Sequence, residues 1–314
     1  MQNEPTYKLT NLADDFLEFE ERTRDLPLAK RLERIKAEAY DNDPYYDFVR
    51  GEWRKEGLEP DEKVREHLAD FPELRDRFAQ AAQRLPGQLD SAMTSFKKAF
   101  PDFDTGFDIT LLHSLGRMDG GTRKIDGEMR FFFGADMIAL YHDFGDDRPF
   151  FHHEFVHFYV EQLFKEGEVN WDASEALWRQ LYSEGLAVYV SAALNPGASD
   201  KELLLVVPEN LVQATRGNLS HITAEMLEHL ESEDERLQDR YFRFGSDDPN
   251  FPKRCGYVVG YWIVEKMAEG RTLHELIRLD EQVILAEIRQ HLDNVCLCVS
   301  VSLLNLSYVV PNRD

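Results

Sequence analysis

Two histidines four residues apart, with a glutamate directly after the first, stand at His153-Glu154-Phe155-Val156-His157. On an α-helix, residues four apart lie one turn apart on the same face, so both imidazoles can converge on one cation. The H-E-x-x-H order is that of a hydrolytic zinc site. Glu154 then projects from a neighbouring position, beside the metal without having to ligate it, where a carboxylate serves as general base toward water. Such a site needs a third protein ligand and keeps a fourth position for water. The chain has three cysteines, Cys255, Cys296 and Cys298, and no CxxC pair, which argues against a thiolate knuckle or a disulfide framework. Any metal is therefore expected to be Zn2+ held by histidine and carboxylate.

The third ligand is sought downstream, where Leu177, Leu181, Glu184, Val188 and Ala192 recur at helical spacing. A carboxylate that interrupts an apolar stripe is costly to desolvate unless a cation compensates, which makes Glu184 the preferred ligand. Gly185, unfavourable inside a helix, suggests a close approach of helix backbones there. Glu175 is the rival, nearer to His157 in sequence, but its spacing from Asp172 fits a capping box and it lies off the stripe. Glu161, one turn after His157, reads as a supporting or solvated residue. A tetrahedral oxyanion would need a donor opposite the metal, and Tyr257, Tyr261 and His221 are candidates. The plain alternative is that Gly256 and Gly260 permit close helix packing and the tyrosines fill core. His142 and His152 read as rim residues.

These side chains need elements to hold them. The segment from Gly145 to Gly167 has Asp146 or Asp147 as N-cap, Pro149 in the first turn and Gly167 beyond the last, and its body is apolar on nearly every side, so a central buried helix is predicted. A second helix is predicted from near Asp172 to Asn195-Pro196-Gly197. An acidic helix over ITAEMLEHLESEDERLQ, a loop rich in Asp, Pro and Phe, a helix over CGYVVGYWIVEKMAEG and a last helix over EQVILAEIRQHL follow, with the tail VCLCVSVSLLNLSYVV as a possible strand. Upstream, residues 107 to 115 alternate with the period of a half-buried strand, MDGGTRKIDG supplies turn residues, and EMRFFFG and ADMIALYH are strand candidates, the latter with a short helix over 136 to 142 as its alternative. A small antiparallel sheet is the economical arrangement, with EMRFFFG as an edge able to take an extended peptide. Residues 1 to about 100 read as polar helices punctuated by Pro44, Pro60, Pro72, Pro86 and Pro101.

HHEFVHFY followed by LYSEGLAVY resembles the gluzincin branch of zinc metallopeptidases, and the E-G-L-A signature is similar to bacterial families called predicted zinc-dependent proteases. GYVVGYWIVEKM and TLHELIRL also resemble the stretch after the third ligand in those families. The resemblance covers about residues 105 to 290. It implies His153, His157 and Glu184 as ligands, Glu154 as general base, and a tyrosine of the GYVVGYW helix, Tyr257 before Tyr261, as oxyanion donor. The N-E-x-x-S-D context of thermolysin-type enzymes is absent, so their substrate pocket is not implied. The expected fold is α+β and mainly helical: a zincin-like domain over residues 104–314, its small sheet packed on the H-E-x-x-H helix, after a helical region over 1–103. The expected activity is peptide-bond hydrolysis. The alternative is a catalytically inactive, metallopeptidase-like zinc-binding or regulatory module, and a weaker one a metal-free helical scaffold.

Composition bounds the partners. The 314 residues carry 36 Lys+Arg against 59 Asp+Glu, a net charge of −23. Such a surface repels phosphate backbones and anionic lipid, so a peptide or protein substrate is expected and nucleic acid is not. No apolar run is long enough for a bilayer span, and the N-terminus lacks the pattern of a signal peptide. The chain thus reads as cytoplasmic, although an exported protein with its signal trimmed would look the same.

Overall fold

A computed structural model of the chain describes residues 7–125, 128–142, 145–204, 210–243, 248 and 250–306. It divides into two compact units, Met1–Glu154 and Phe155–Asp314. This division does not coincide with the boundary expected at 103/104. The reason lies in the first unit, where the long fourth helix packs on the fifth and the first strand pairs with the second, tying the opening hundred residues to the sheet.

In the first unit β1 (Lys8–Asn11) is followed by α1 (Leu12–Thr23), α2 (Leu28–Glu38), α3 (Pro44–Lys55) and α4 (Pro60–Ala99). Pro44 and Pro60 start their helices, where a missing N–H costs nothing, and the Asp43 carboxylate accepts from the amides of Tyr45 and Tyr46. The expectation of short helices fails at Pro72 and Pro86, because α4 runs through both. A proline inside a helix costs about 3 kcal/mol. Against that, α4 buries Val64, Leu68, Phe71, Phe78, Leu85, Leu89, Met93 and Phe96, each stabilising by roughly 1.5–3 kcal/mol. Tertiary burial overrides the local breaker.

The strands β2 (Asp108–Leu112), β3 (Gly120–Ile125) and β4 (Glu128–Gly134) join β1 in one sheet of order β1-β2-β4-β3. The sheet is mixed and not antiparallel as expected: β1 with β2 and β2 with β4 are parallel, and only β3 with β4 is antiparallel. The cause is the connection after β2. The Asp136 carboxylate accepts from the amides of Ser114 and Gly116 and from the Ser114 hydroxyl, while Leu115 and Gly116 take positive φ. The chain is thereby carried past the neighbouring position to β3, and β4 returns between β2 and β3. Two local expectations fall with this. GGTRKI, read as turn, is the edge strand, and EMRFFFG, read as an edge, is central. Residues 135 to 141 form a helix, α5 (Ala135–Tyr141), the alternative to a strand there. The sheet face bearing Phe133 meets Phe150 and Phe151 at the start of α6 (Arg148–Glu166).

The second unit holds the rest of α6, then α7 (Leu177–Leu194), α8 (Asp200–Leu204), α9 (Leu211–Gly217), α10 (Leu219–Glu228), α11 (Glu235–Phe242), α12 (Cys255–Met267), α13 (Leu273–Ile277) and α14 (Glu281–Leu306). Asp172 does not start α7. It sits in a 3-10 turn, Trp171–Ala173, and accepts from Arg179, so the capping box expected with Glu175 is not formed. A capping box occurs instead at Thr272 and Glu275, opening α13. The predicted acidic helix is broken into α10 and α11, the second capped by Asp234. The tail expected as a strand continues α14 to Leu306, and its last residues, 307–310, lie outside those described. Trp171 and Tyr182 donate to the carbonyls of Ile277 and Leu276, anchoring α13. Among the described residues no helix is long and apolar enough to cross a membrane.

Candidate metal centre

Helix α6 spans Arg148–Glu166 as predicted, and most of it is buried: Phe150, Phe151, His153, Phe155, Val156, Tyr159, Val160 and Leu163 are all at or below 2% exposure. One stripe departs from this. Glu154, His157 and Glu161, at spacings of three and four, are only half-buried. The helix is therefore not apolar all round in effect, because a single polar seam reaches solvent and the H-E-x-x-H residues lie along or beside it.

Helix α6 passes through the division between the units, with His153 before it and His157 after it. The helix itself is unbroken, so the two imidazoles stand one turn apart. His153, His157 and Glu184 each offer a ligand atom, and the three atoms lie within 4.8 Å of one another. Within the second unit, His157 Nε2 is 3.6 Å from Glu184 Oε2. Ligand bonds of 2.0–2.1 Å in a tetrahedron put neighbouring ligand atoms about 3.4 Å apart, so that pair already has the separation a zinc ion needs. The donor set of two imidazoles and a carboxylate also has the chemistry of a hydrolytic zinc site. Ser183, buried next to Glu184, places its Oγ 3.3 Å from His157 Nδ1. With Nε2 given to a cation, Nδ1 carries the proton and donates to that hydroxyl, which fixes the ring. Sequence reasoning missed Ser183, since a serine inside a helix carries no signal of its own.

Glu184 interrupts a stripe whose members Leu177, Leu181 and Val188 are buried to 1% exposure, while its own side chain is 16% exposed. Gly185 explains how α7 is fixed. A Cβ there would lie 2.3 Å from the backbone of Gly260, and one on Gly260 would lie 2.5 Å from the Leu181 carbonyl. Helices α7 and α12 thus touch backbone to backbone beside Glu184, and the close approach expected at Gly185 is to α12. The other carboxylates weighed as ligands lie elsewhere: Glu175 is exposed, and Glu161 pairs with Lys165 at 2.7 Å.

Helix α12 carries Tyr257 and Tyr261 on either side of the Gly260 contact. The Tyr261 hydroxyl donates to Glu265 at 3.1 Å, and burial, with that bond, pushes its pKa up to about 12. Tyr257 stacks under the Arg254 guanidinium, 4.3 Å from its ring, and edge-on to Phe242 at 5.7 Å. His221 is exposed on α10 beside Phe251, at 4.9 Å. Among the described residues His221 is not part of the ligand cluster.

The two flanking histidines are core residues and not rim residues. His152, 1% exposed, has Nε2 2.7 Å from Ser95 Oγ on α4. His142 lies between Asp147, 3.3 Å from Nδ1, and Asp119, 3.5 Å from Nε2, and Arg84 pairs with Asp147 at 2.9 Å. Burial opposes charge on His142, but the carboxylates of Asp119 and Asp147 on either side of it outweigh that and raise its pKa. This network ties the start of α6 to the turn before β3. A Cβ on Gly121 of β3, where φ is +128°, would lie 3.6 Å from Glu154 Oε2, so the edge strand runs directly beside the glutamate.

Compared with known proteins, the chain matches no family model, no curated protein and no solved structure.

Proposed function

We propose that the protein is a zinc-dependent peptidase, in which His153, His157 and Glu184 hold the ion and Glu154 is the general base. The observation that carries this reading is the convergence of two imidazoles from one helix and a carboxylate from the next, with Glu154, the residue after His153, lying against an edge strand. Zinc at such a site acidifies water toward neutrality and polarises a carbonyl. The chain's own residues do the rest. Ser183 orients His157, and Glu154 takes a proton from water and passes it to the leaving amine. Among the described residues β3 pairs with β4 alone, and its other edge offers backbone donors and acceptors to an extended peptide. Tyr257 and Tyr261 on α12 are the candidates for oxyanion donor, the Tyr261 hydroxyl already donating to Glu265.

Metal analysis combined with one substitution tests this reading. The purified protein is expected to hold zinc near one equivalent. Glu154→Gln is expected to keep the metal and lower peptide cleavage by roughly 10²–10⁴-fold. Protein with no metal, or a variant that cleaves as well as the parent, would refute it. A protein that holds zinc but cleaves nothing in a broad peptide library would be the inactive zinc-binding module.

A further inference from the structure

The edge strand beside Glu154 is cationic in a strongly acidic chain. Arg123 on β3 is the direct cross-strand partner of Arg130 on β4, so the two guanidinium groups share one face of the sheet. Like charges placed opposite each other are destabilising. Among the side chains described, neither Arg123 nor Arg130 has a carboxylate within ion-pair distance; the Glu128 side chain on β4 lies outside those described. The nearest polar engagement of Arg123 is with its neighbour's backbone, where Nη1 donates to the Thr122 carbonyl at 2.7 Å. That same nitrogen and Glu154 Oε2 flank one spot, 3.4 and 3.6 Å from the position a Gly121 Cβ would take. A positive group thus stands at the edge where an added strand would lie, next to the general base.

We propose that this pair selects acidic peptide segments: an extended chain added to the outer edge of β3 places an Asp or Glu side chain over Arg123, with Arg130 behind it. The inference rests on the peptidase reading for what happens next, but the recognition itself stands on the strand and its two arginines. A peptide on the edge puts alternate side chains on the arginine face, each about 4.5–5.5 Å from its cross-strand neighbour, well within reach of a guanidinium. A carboxylate there accepts from the planar fork of Arg123 and relieves the repulsion from Arg130. The whole-molecule charge of −23 acts in the opposite sense, repelling acidic peptides and attracting basic ones. The sign of the preference therefore distinguishes a local site from the general field.

The test is a titration of the full-length zinc-loaded protein with a fluorescent decapeptide of alternating Glu and Ala, compared with its Gln/Ala isostere and a Lys/Ala peptide at low salt. The Glu peptide is expected to bind at least tenfold more tightly than the isostere. Arg123→Gln with Arg130→Gln should remove most of that margin, while Lys124→Gln, on the opposite face, should leave it. Far-UV circular dichroism shows that each variant is folded. Equal binding of all three peptides, tighter binding of the Lys peptide, or a margin that survives the double substitution would overturn the proposal. An oligonucleotide of equal charge that binds as tightly would overturn the assignment to peptides. If the acidic peptide binds as expected and is never cleaved, the recognition stands and the peptidase reading fails. If peptides are cleaved without acidic preference, the reverse holds.

Discussion

The most deeply buried acidic side chains, Asp147, Glu20 and Asp136, all have ordinary reasons for their depth. Arg84 pairs with Asp147, Arg75 and Arg31 with Glu20, and backbone amides with Asp136. Asp147 and Asp136 each face one imidazole, at 3.3 and 3.7 Å, whereas Glu184, less buried than these, converges with two, His153 and His157. The contrast that made Glu154 and Glu184 legible was local, namely polar residues in apolar helices. Depth alone would have pointed to Asp147, Glu20 and Asp136 instead. Ser183 was not legible, because its role exists only once α7 lies against α6. Ser183→Ala is expected to weaken zinc affinity by about 10–100-fold with the fold intact, read by competition with a chelating dye. Unchanged affinity would remove Ser183 from the site.

At the scale of elements, α7 and α12 meet where neither helix has a side chain. Gly260→Ala forces a methyl against the Leu181 carbonyl, and overpacking of this kind costs typically 1–3 kcal/mol, which urea unfolding should record. The glycines were readable as a packing signal, but not their pairing. The start of α6 depends on the His142 network. Because the folded-state pKa of His142 is raised above its unfolded value, its contribution to stability is fully present below the unfolded pKa and is lost as pH rises through the folded one. The stability lost in His142→Gln, followed by denaturant titration across pH 5–9, is therefore expected to be greatest at the acid end and to shrink toward the alkaline end. A loss that grew with pH would contradict the assignment of His142⁺ between Asp119 and Asp147. Sequence reading misplaced this residue because Asp119, Asp147 and Arg84 come from three separate segments.

For the molecule as a whole, a metal that binds only the native state adds stability in proportion to its occupancy. At a free concentration a thousandfold above the dissociation constant this is about 4 kcal/mol. Chelation of the purified protein is therefore expected to lower its Tm by several degrees, and one equivalent of zinc should restore it, followed by differential scanning calorimetry. No change on chelation would place the cluster outside the protein's stability and weaken the case for a resident ion. The net charge of −23 is spread over a surface where many pairs, such as Lys30 with Glu33 and Lys63 with Glu66, are exposed helical neighbours screened by solvent that contribute little to stability. It bears on long-range steering more than on the fold.

What the sequence determined by itself is what short-range rules control. Helical period and capping residues set the span of α6, and a four-residue spacing put His153 and His157 on one face. An interrupted stripe singled out Glu184. What only the tertiary structure decided is whatever depends on which distant segments meet. Burial carried α4 through two prolines, and the Asp136 carboxylate steered the chain past β2 and made GGTRKI an edge strand. The backbone contact of Gly185 with Gly260 fixed the helix that bears Glu184. Local propensities are worth tenths of a kcal/mol to about 3 kcal/mol per residue, and the burial of a few large side chains exceeds them. For that reason the candidate ligands could be read along the chain, while the strand beside Glu154 could not.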